Sequence, residues 1–158
     1  MDKPVRKPTR IPNYDYSKDN YYFVTICTHE KQCFFGTIRE IGRYGKIAAD
    51  SIDTLSSHYS NVKIDKYVVM PNHIHMIVLI VCNTETSVNP TLSQIIGAYK
   101  SEVTRLIHQS EPNVQIWQRS FHDHIIRNQA SYEKIWLYIE ANPMNWDKDC
   151  FYAGIREG

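Results

Sequence analysis

The apolar positions change period several times along the chain, and each change marks an element boundary. Tyr21-Tyr-Phe-Val-Thr-Ile-Cys-Thr28 is aromatic and β-branched, which predicts a strand, and Lys31 to Gly36 after it reads as a loop. Gly45 to Leu55 sets Ile47/Ala48, Ile52 and Leu55 on one face at helical spacing, the pattern of an amphipathic helix. Val62 to Met70 and His73 to Cys82 are apolar runs parted by the turn pair Pro71-Asn72, so they are predicted to be neighbouring antiparallel strands. From Thr91 to His108, Leu92, Ile95/Ile96, Tyr99, Val103 and Leu106/Ile107 fit a helix capped by Thr91. Phe121 to Arg127 reads as a short strand. Ala130 to Asn142 reads as a last helix, stopped because Pro143 disfavours helical geometry at the residue before it. The order β-α-β-β-α-β-α contains a split βαβ, ferredoxin-like arrangement: an α+β fold with an antiparallel sheet, two helices on one face, and an added C-terminal helix.

Length and composition narrow the classes. A chain of 158 residues suits one domain, read as residues 21–158 behind an extended basic arm, residues 1–20. With 42% hydrophobic and 22% charged residues it is globular, and no apolar run approaches the roughly 18 residues of a membrane span. The basic N-terminus lacks the apolar segment of a secretory signal, so the expected location is the cytoplasm. Cys27, Cys33, Cys82 and Cys150 form no C-x-x-C pair, which argues against a zinc ribbon or redox motif and predicts free, mostly buried thiols. Net charge is only +1, so any nucleic-acid contact must rest on local charge. Lys3, Arg6, Lys7 and Arg10 stand against Asp2 alone, with Pro4, Pro8 and Pro12 keeping the arm extended; it reads equally as a phosphate-binding arm or a solvated tail.

Candidate chemistry begins with His73-Ile74-His75. Alternation in a strand sends both imidazoles to one face, where they can chelate one metal ion. Seven histidines give roughly 0.3 such triplets by chance. The chain holds two, because His122-Asp123-His124 is a rival in a shorter, more polar segment, so spacing alone does not choose between them. On the last helix Tyr138 and Asn142 lie one turn apart on the same face. Tyr138 is either one of eleven tyrosines, packing beside Ile135, Trp136 and Ile139, or a nucleophile delivered to the histidines with Asn142 as a further ligand. Trp117-Gln118-Arg119-Ser120-Phe121 combines a cation, an amide and two aromatics, suited to gripping single-stranded DNA or to plugging the core under a loop. Arg127 and Lys100 extend the basic surface if they face it.

Four segments resemble the HUH single-tyrosine transposases of insertion sequences, within them the REP-associated tyrosine transposases. They are Tyr22-Phe23-Val24-Thr25, Val69-Met70-Pro71-Asn72-His73-Ile74-His75, Ile116 to Arg127, and Tyr138-Ile139-Glu140-Ala141-Asn142-Pro143. The likeness implies that His73 and His75, with an apolar residue between them, ligate a divalent metal, Mg²⁺ or Mn²⁺, and that His122 and His124 do not. It implies Tyr138 as nucleophile and Asn142 as a further ligand. The activity implied is metal-dependent cleavage and strand transfer of single-stranded, hairpin-forming DNA through a 5′-phosphotyrosine. Local charge and aromatic character, not the likeness, make Lys3, Arg6, Lys7, Arg10, Trp117, Gln118, Arg119 and Arg127 the expected DNA contacts, with a homodimer as an assembly to test. Two other classes compete: a domesticated non-catalytic DNA-binding module of the same fold, and a histidine-dependent metal hydrolase of small phosphoesters.

Overall fold

A four-stranded sheet organises the chain. The computed structural model describes residues 20–82 and 89–149. Its strands are β1 (Asn20–Cys27), β2 (Val62–Met70), β3 (His73–Ile80) and β4 (His122–Ile126), in the spatial order β2-β3-β1-β4 with every neighbouring pair antiparallel. The helices are α1 (Arg43–Asp53), the single turn α2 (Leu55–His58), α3 (Leu92–His108) and α4 (Gln129–Ala141). This is the split βαβ arrangement the element order predicts. Asn20, assigned to the arm from sequence, opens β1 instead, and the arm itself, with Lys3, Arg6, Lys7 and Arg10, lies outside the described residues. The last helix begins and ends one residue earlier than its periodicity suggests, with Asn128 as the cap: its side chain accepts from Ser131 N at 2.8 Å. Thr91 caps α3 through a reciprocal box with Gln94.

Alternation divides the sheet into two faces. Tyr22, Val24 and Ile26 of β1 and Ile74, Met76, Val78 and Ile80 of β3 meet Ala48 and Ile52 of α1 and Ile95, Ile96, Tyr99 and Val103 of α3 in the main core. On the opposite face Tyr21, Phe23, Val68, Ile77 and Ile126 meet Tyr132, Ile135, Trp136 and Ile139 of α4. Polar ties at a bulge complement this second layer. Ile64 pairs with Val78 and Lys66 with Ile77, so Asp65 is the extra residue. The shift turns Lys66 toward α4, where its ammonium pairs with Glu140 and lies 4.1 Å from the Trp136 ring centre. Asp65 accepts from Tyr132 Oη at 2.9 Å, and burial with that bond raises the Tyr132 phenol to about 12.

One expectation needs correction. Of the described cysteines only Cys27 is buried, while Cys33 and Cys82 are exposed because both fall in loops beyond strand ends; Cys150 lies outside the described residues. Among the described residues no helix is long and apolar enough to cross a membrane.

Candidate active site

Strand register builds the site. Cys27 pairs with His73 and Thr25 with His75 across β1 and β3, and directly paired residues project to one face, so both imidazoles stand under α4 while Ile74 enters the main core. His73 is 0% and His75 2% exposed, and their ring centres are 4.6 Å apart.

Each ring is oriented from behind by its Nδ1. His73 Nδ1 lies 2.8 Å from Asn72 Oδ1, and the Asn72 amide is itself fixed because Nδ2 donates to the Lys31 carbonyl at 3.2 Å. An amide oxygen carries no proton, so His73 Nδ1 must donate, which leaves the lone pair on Nε2. That carbonyl is aimed by two consecutive non-glycine residues in the left-handed region, Glu30 (φ 52°) and Lys31 (φ 55°), a conformation seldom adopted without a purpose. Thr28, whose Oγ1 donates toward the Gln32 and Asn72 carbonyls, holds the same turn from the end of β1. His75 Nδ1 shares a 2.8 Å hydrogen bond with Thr25 Oγ1.

The chain after α4 closes the cluster. Asn142 and Asp149 are buried; Asn142 Nδ2 donates to Asp149 Oδ2 at 3.2 Å, and that oxygen lies 3.7 Å from His73 Nε2. The ligating atoms of His73, His75 and Asp149 all lie within 4.8 Å of one another. Asn142 Oδ1 is buried and receives no hydrogen bond among the described residues, an acceptor that a cation would satisfy. Burial pushes His73 down to about 4, against the opposing pull of Asp149 and Asn142, and pushes His75 down to about 3, with His73 adding to the effect. Both are therefore neutral near pH 7, the state in which an imidazole ligates a metal. Two imidazoles, a carboxylate and an amide form a mixed nitrogen and oxygen donor set that fits a divalent cation, and the carboxylate makes it harder than histidine alone.

Tyr138 stands at the mouth. It is 45% exposed, which sets aside the alternative of a ring packed in the core; its ring centre is 5.4 Å from that of His75 and 6.2 Å, edge-on, from that of Phe23. One chain thus brings together His73, His75, Asn142 and Tyr138. Sequence reasoning missed Asp149, Asn72 and Thr25. Asp149 has no signal, lying in an aperiodic polar stretch after Pro143, whereas Asn72 was legible only as a turn residue and Thr25 only as a strand former.

Other candidates lie elsewhere. His122 pairs with Thr25 and His124 with Phe23, so the second triplet shares the face of the first but stands two strand spacings, about 10 Å, from His75 and outside the cluster. Trp117 turns inward: its ring packs near Phe35 and Tyr99, its Nε1 donates to the Lys100 carbonyl at 3.1 Å, and Phe121 is buried, so these aromatics plug the core rather than offer a face to a base. Lys100 is likewise not a surface cation, because its ammonium donates to the Gln118 and Ser120 carbonyls at 3.0 and 2.5 Å. Gln118 is half-buried, its backbone N–H donating to the Cys27 carbonyl, while Arg119 and Arg127 are exposed.

Residues 15–142 match the family profile described as IS200-like transposases. An uncharacterized protein of Haemophilus influenzae is 31% identical over 171 residues, spanning 94% of this chain and 93% of that protein. Among solved structures, a REP-associated tyrosine transposase bound to a REP hairpin superposes with a TM-score of 0.58 at 20% identity, over 92% of this chain and 74% of that one.

Proposed function

The chain belongs to the IS200-like transposases, and from that premise we propose that it is a metal-dependent single-stranded DNA endonuclease and strand transferase acting through Tyr138. The observation that carries the proposal is the exposed Tyr138 phenol beside the buried cluster of His73, His75, Asn142 and Asp149 within one chain. Those four side chains would hold a divalent cation such as Mn²⁺ or Mg²⁺. Bound there, the cation supplies Lewis-acid polarisation of the scissile phosphate.

The protein residues do the rest. Tyr138 Oη attacks phosphorus in line; the bond from phosphorus to the 3′ oxygen breaks, that oxygen takes up a proton as a 3′-OH, and the 5′-phosphate stays on the tyrosine. The phenolic proton leaves to solvent at the exposed mouth. Because the phosphotyrosine keeps the ester linkage, a second 3′-OH can attack it and restore Tyr138, joining strands without a nucleotide cofactor. Asn72 and Thr25 keep both imidazoles oriented throughout. The REP-associated relative was solved on a REP hairpin, which supports hairpin DNA as the substrate class. Arg119 and Arg127, with the arm residues Lys3, Arg6, Lys7 and Arg10, are proposed phosphate contacts, so binding should weaken as salt rises.

The test is cleavage of labelled hairpins carrying single-stranded flanks, with and without Mn²⁺. His73→Ala and His75→Ala should each abolish cleavage and lower Mn²⁺ affinity, while His122→Ala and His124→Ala leave Mn²⁺ affinity intact. Retained metal binding in the first pair and its loss in the second would reverse the assignment.

A further inference from the structure

The second histidine triplet is left unused by this site, yet the register places it beside the reaction centre. Thr25 is bonded to His75 on one side and paired with His122 on the other; Phe23 touches both His75 and Tyr138 and is paired with His124. His122, His124 and Ile126 therefore run along edge strand β4 on the face that carries the metal cluster. His122 and His124 are exposed while His73 and His75 are shielded. Unlike His73 and His75, which pack under α4, these two imidazoles face solvent and bury nothing. A solvated strand edge accounts for one polar side chain as readily as another, but not for a row that runs level with the residues touching Tyr138, across β1, and leads to a cavity. Past Ile126 the row opens into a cavity of about 510 Å³ lined by Asn20, Tyr21, Arg127, Gln129 and Tyr132. Its volume suits a small planar group, with aromatic rings to stack on and amide and guanidinium groups to donate.

We propose that this face is the seat of the substrate strand: His122 and His124 hold the phosphate backbone of single-stranded DNA beside the cluster, and a base of that strand enters the cavity next to Arg127. Imidazole N–H groups can donate to phosphate oxygens, and Phe23, half-buried between His124 and Tyr138, offers a ring edge to the same strand. The exposed tyrosine then meets the strand from the α4 side while the cluster lies beneath it. The separation of about 10 Å from His75 sets this role apart from ligation, because zinc-type bonds to histidine nitrogen are only about 2.0–2.1 Å long. The inference rests on the reading of the chain as a single-stranded DNA enzyme, but its test reads a different quantity.

The probe is a fluorescein-labelled oligothymidylate, which forms no hairpin, followed by anisotropy at fixed salt, with Mn²⁺ affinity measured separately by titration. The double variant His122→Ala/His124→Ala should bind oligothymidylate about tenfold more weakly and Mn²⁺ as well as the wild type. The double variant His122→Gln/His124→Gln keeps a donor at each position and should recover most of the affinity. Arg127→Ala should weaken oligothymidylate binding and leave Mn²⁺ binding unchanged. Oligothymidylate affinity within twofold of wild type in the double alanine variant overturns the proposal, and so does a parallel loss of Mn²⁺ affinity, which would make these histidines part of the metal centre. Loss of metal binding in His73→Ala bears on the catalytic reading alone, so the two ideas can fail separately.

Discussion

The bond between His73 Nδ1 and Asn72 Oδ1 determines which nitrogen of His73 is offered to a cation. Asn72→Ala removes that constraint without touching any proposed ligand, and a ring free to adopt the other tautomer should bind Mn²⁺ about 10–100-fold more weakly, as measured by titration. Asp149→Asn keeps the shape and removes the charge, so it should also weaken Mn²⁺, whereas Cys33→Ser, a change at an exposed loop residue, should not. At this scale the sequence disclosed the half of the site that is local. The alternation of His73, Ile74 and His75 is a property of three adjacent residues, and the one-turn spacing of Tyr138 and Asn142 is a property of one helix. Asp149 reaches the cluster only because the chain doubles back after Pro143, and no periodic signal encodes that return.

Among the elements, α4 carries the chemistry to the sheet, and its attachment is measurable. Ile139 is 1% exposed between Ile77 and Ile126, so Ile139→Ala should destabilise the protein by about 2–5 kcal/mol in denaturant titration and cost adduct formation more than it costs Mn²⁺ affinity. Tyr132→Phe loses the hydrogen bond to Asp65 and should destabilise by about 1 kcal/mol. Strands and helices were legible from hydrophobic period, since β1, β2, β3 and α3 each bury one periodic face or lie in an almost continuous apolar run. The bulge at Asp65 was not. Val62-Lys-Ile-Asp-Lys-Tyr-Val-Val alternates only as far as Asp65-Lys66, and only pairing with β3 shows that this break is a bulge that turns Lys66 toward Glu140 and Trp136. The aromatic run at Trp117 misled for a related reason: composition alone does not say whether a ring faces outward, and Trp117 faces Tyr99.

For the whole molecule, two buried neutral histidines couple folding to pH. Their folded values, about 4 and about 3, lie below the 6.5 expected of the unfolded chain, so protons bind the unfolded state first as pH falls. Their contribution to stability is complete above about pH 6.5, declines as pH falls below it, and is lost by the time pH has fallen through about 4 and about 3. Urea midpoints measured from pH 7 to pH 4 should therefore fall more steeply for the wild type than for His73→Asn/His75→Asn, where that component is removed. The sheet, its two helices on one face and α4 on the other together place the exposed Tyr138 phenol beside the buried cluster, and the proposed chemistry depends on that placement. Its most direct test incubates wild-type protein and Tyr138→Phe with Mn²⁺ and a hairpin oligonucleotide labelled at its 3′ end, followed by denaturing electrophoresis and peptide mapping. The wild type should give an adduct that carries the labelled downstream fragment and maps to Tyr138, with no adduct in Tyr138→Phe although Mn²⁺ and DNA binding persist; an adduct that survives in Tyr138→Phe, or maps to another tyrosine, would contradict the role of Tyr138 as nucleophile.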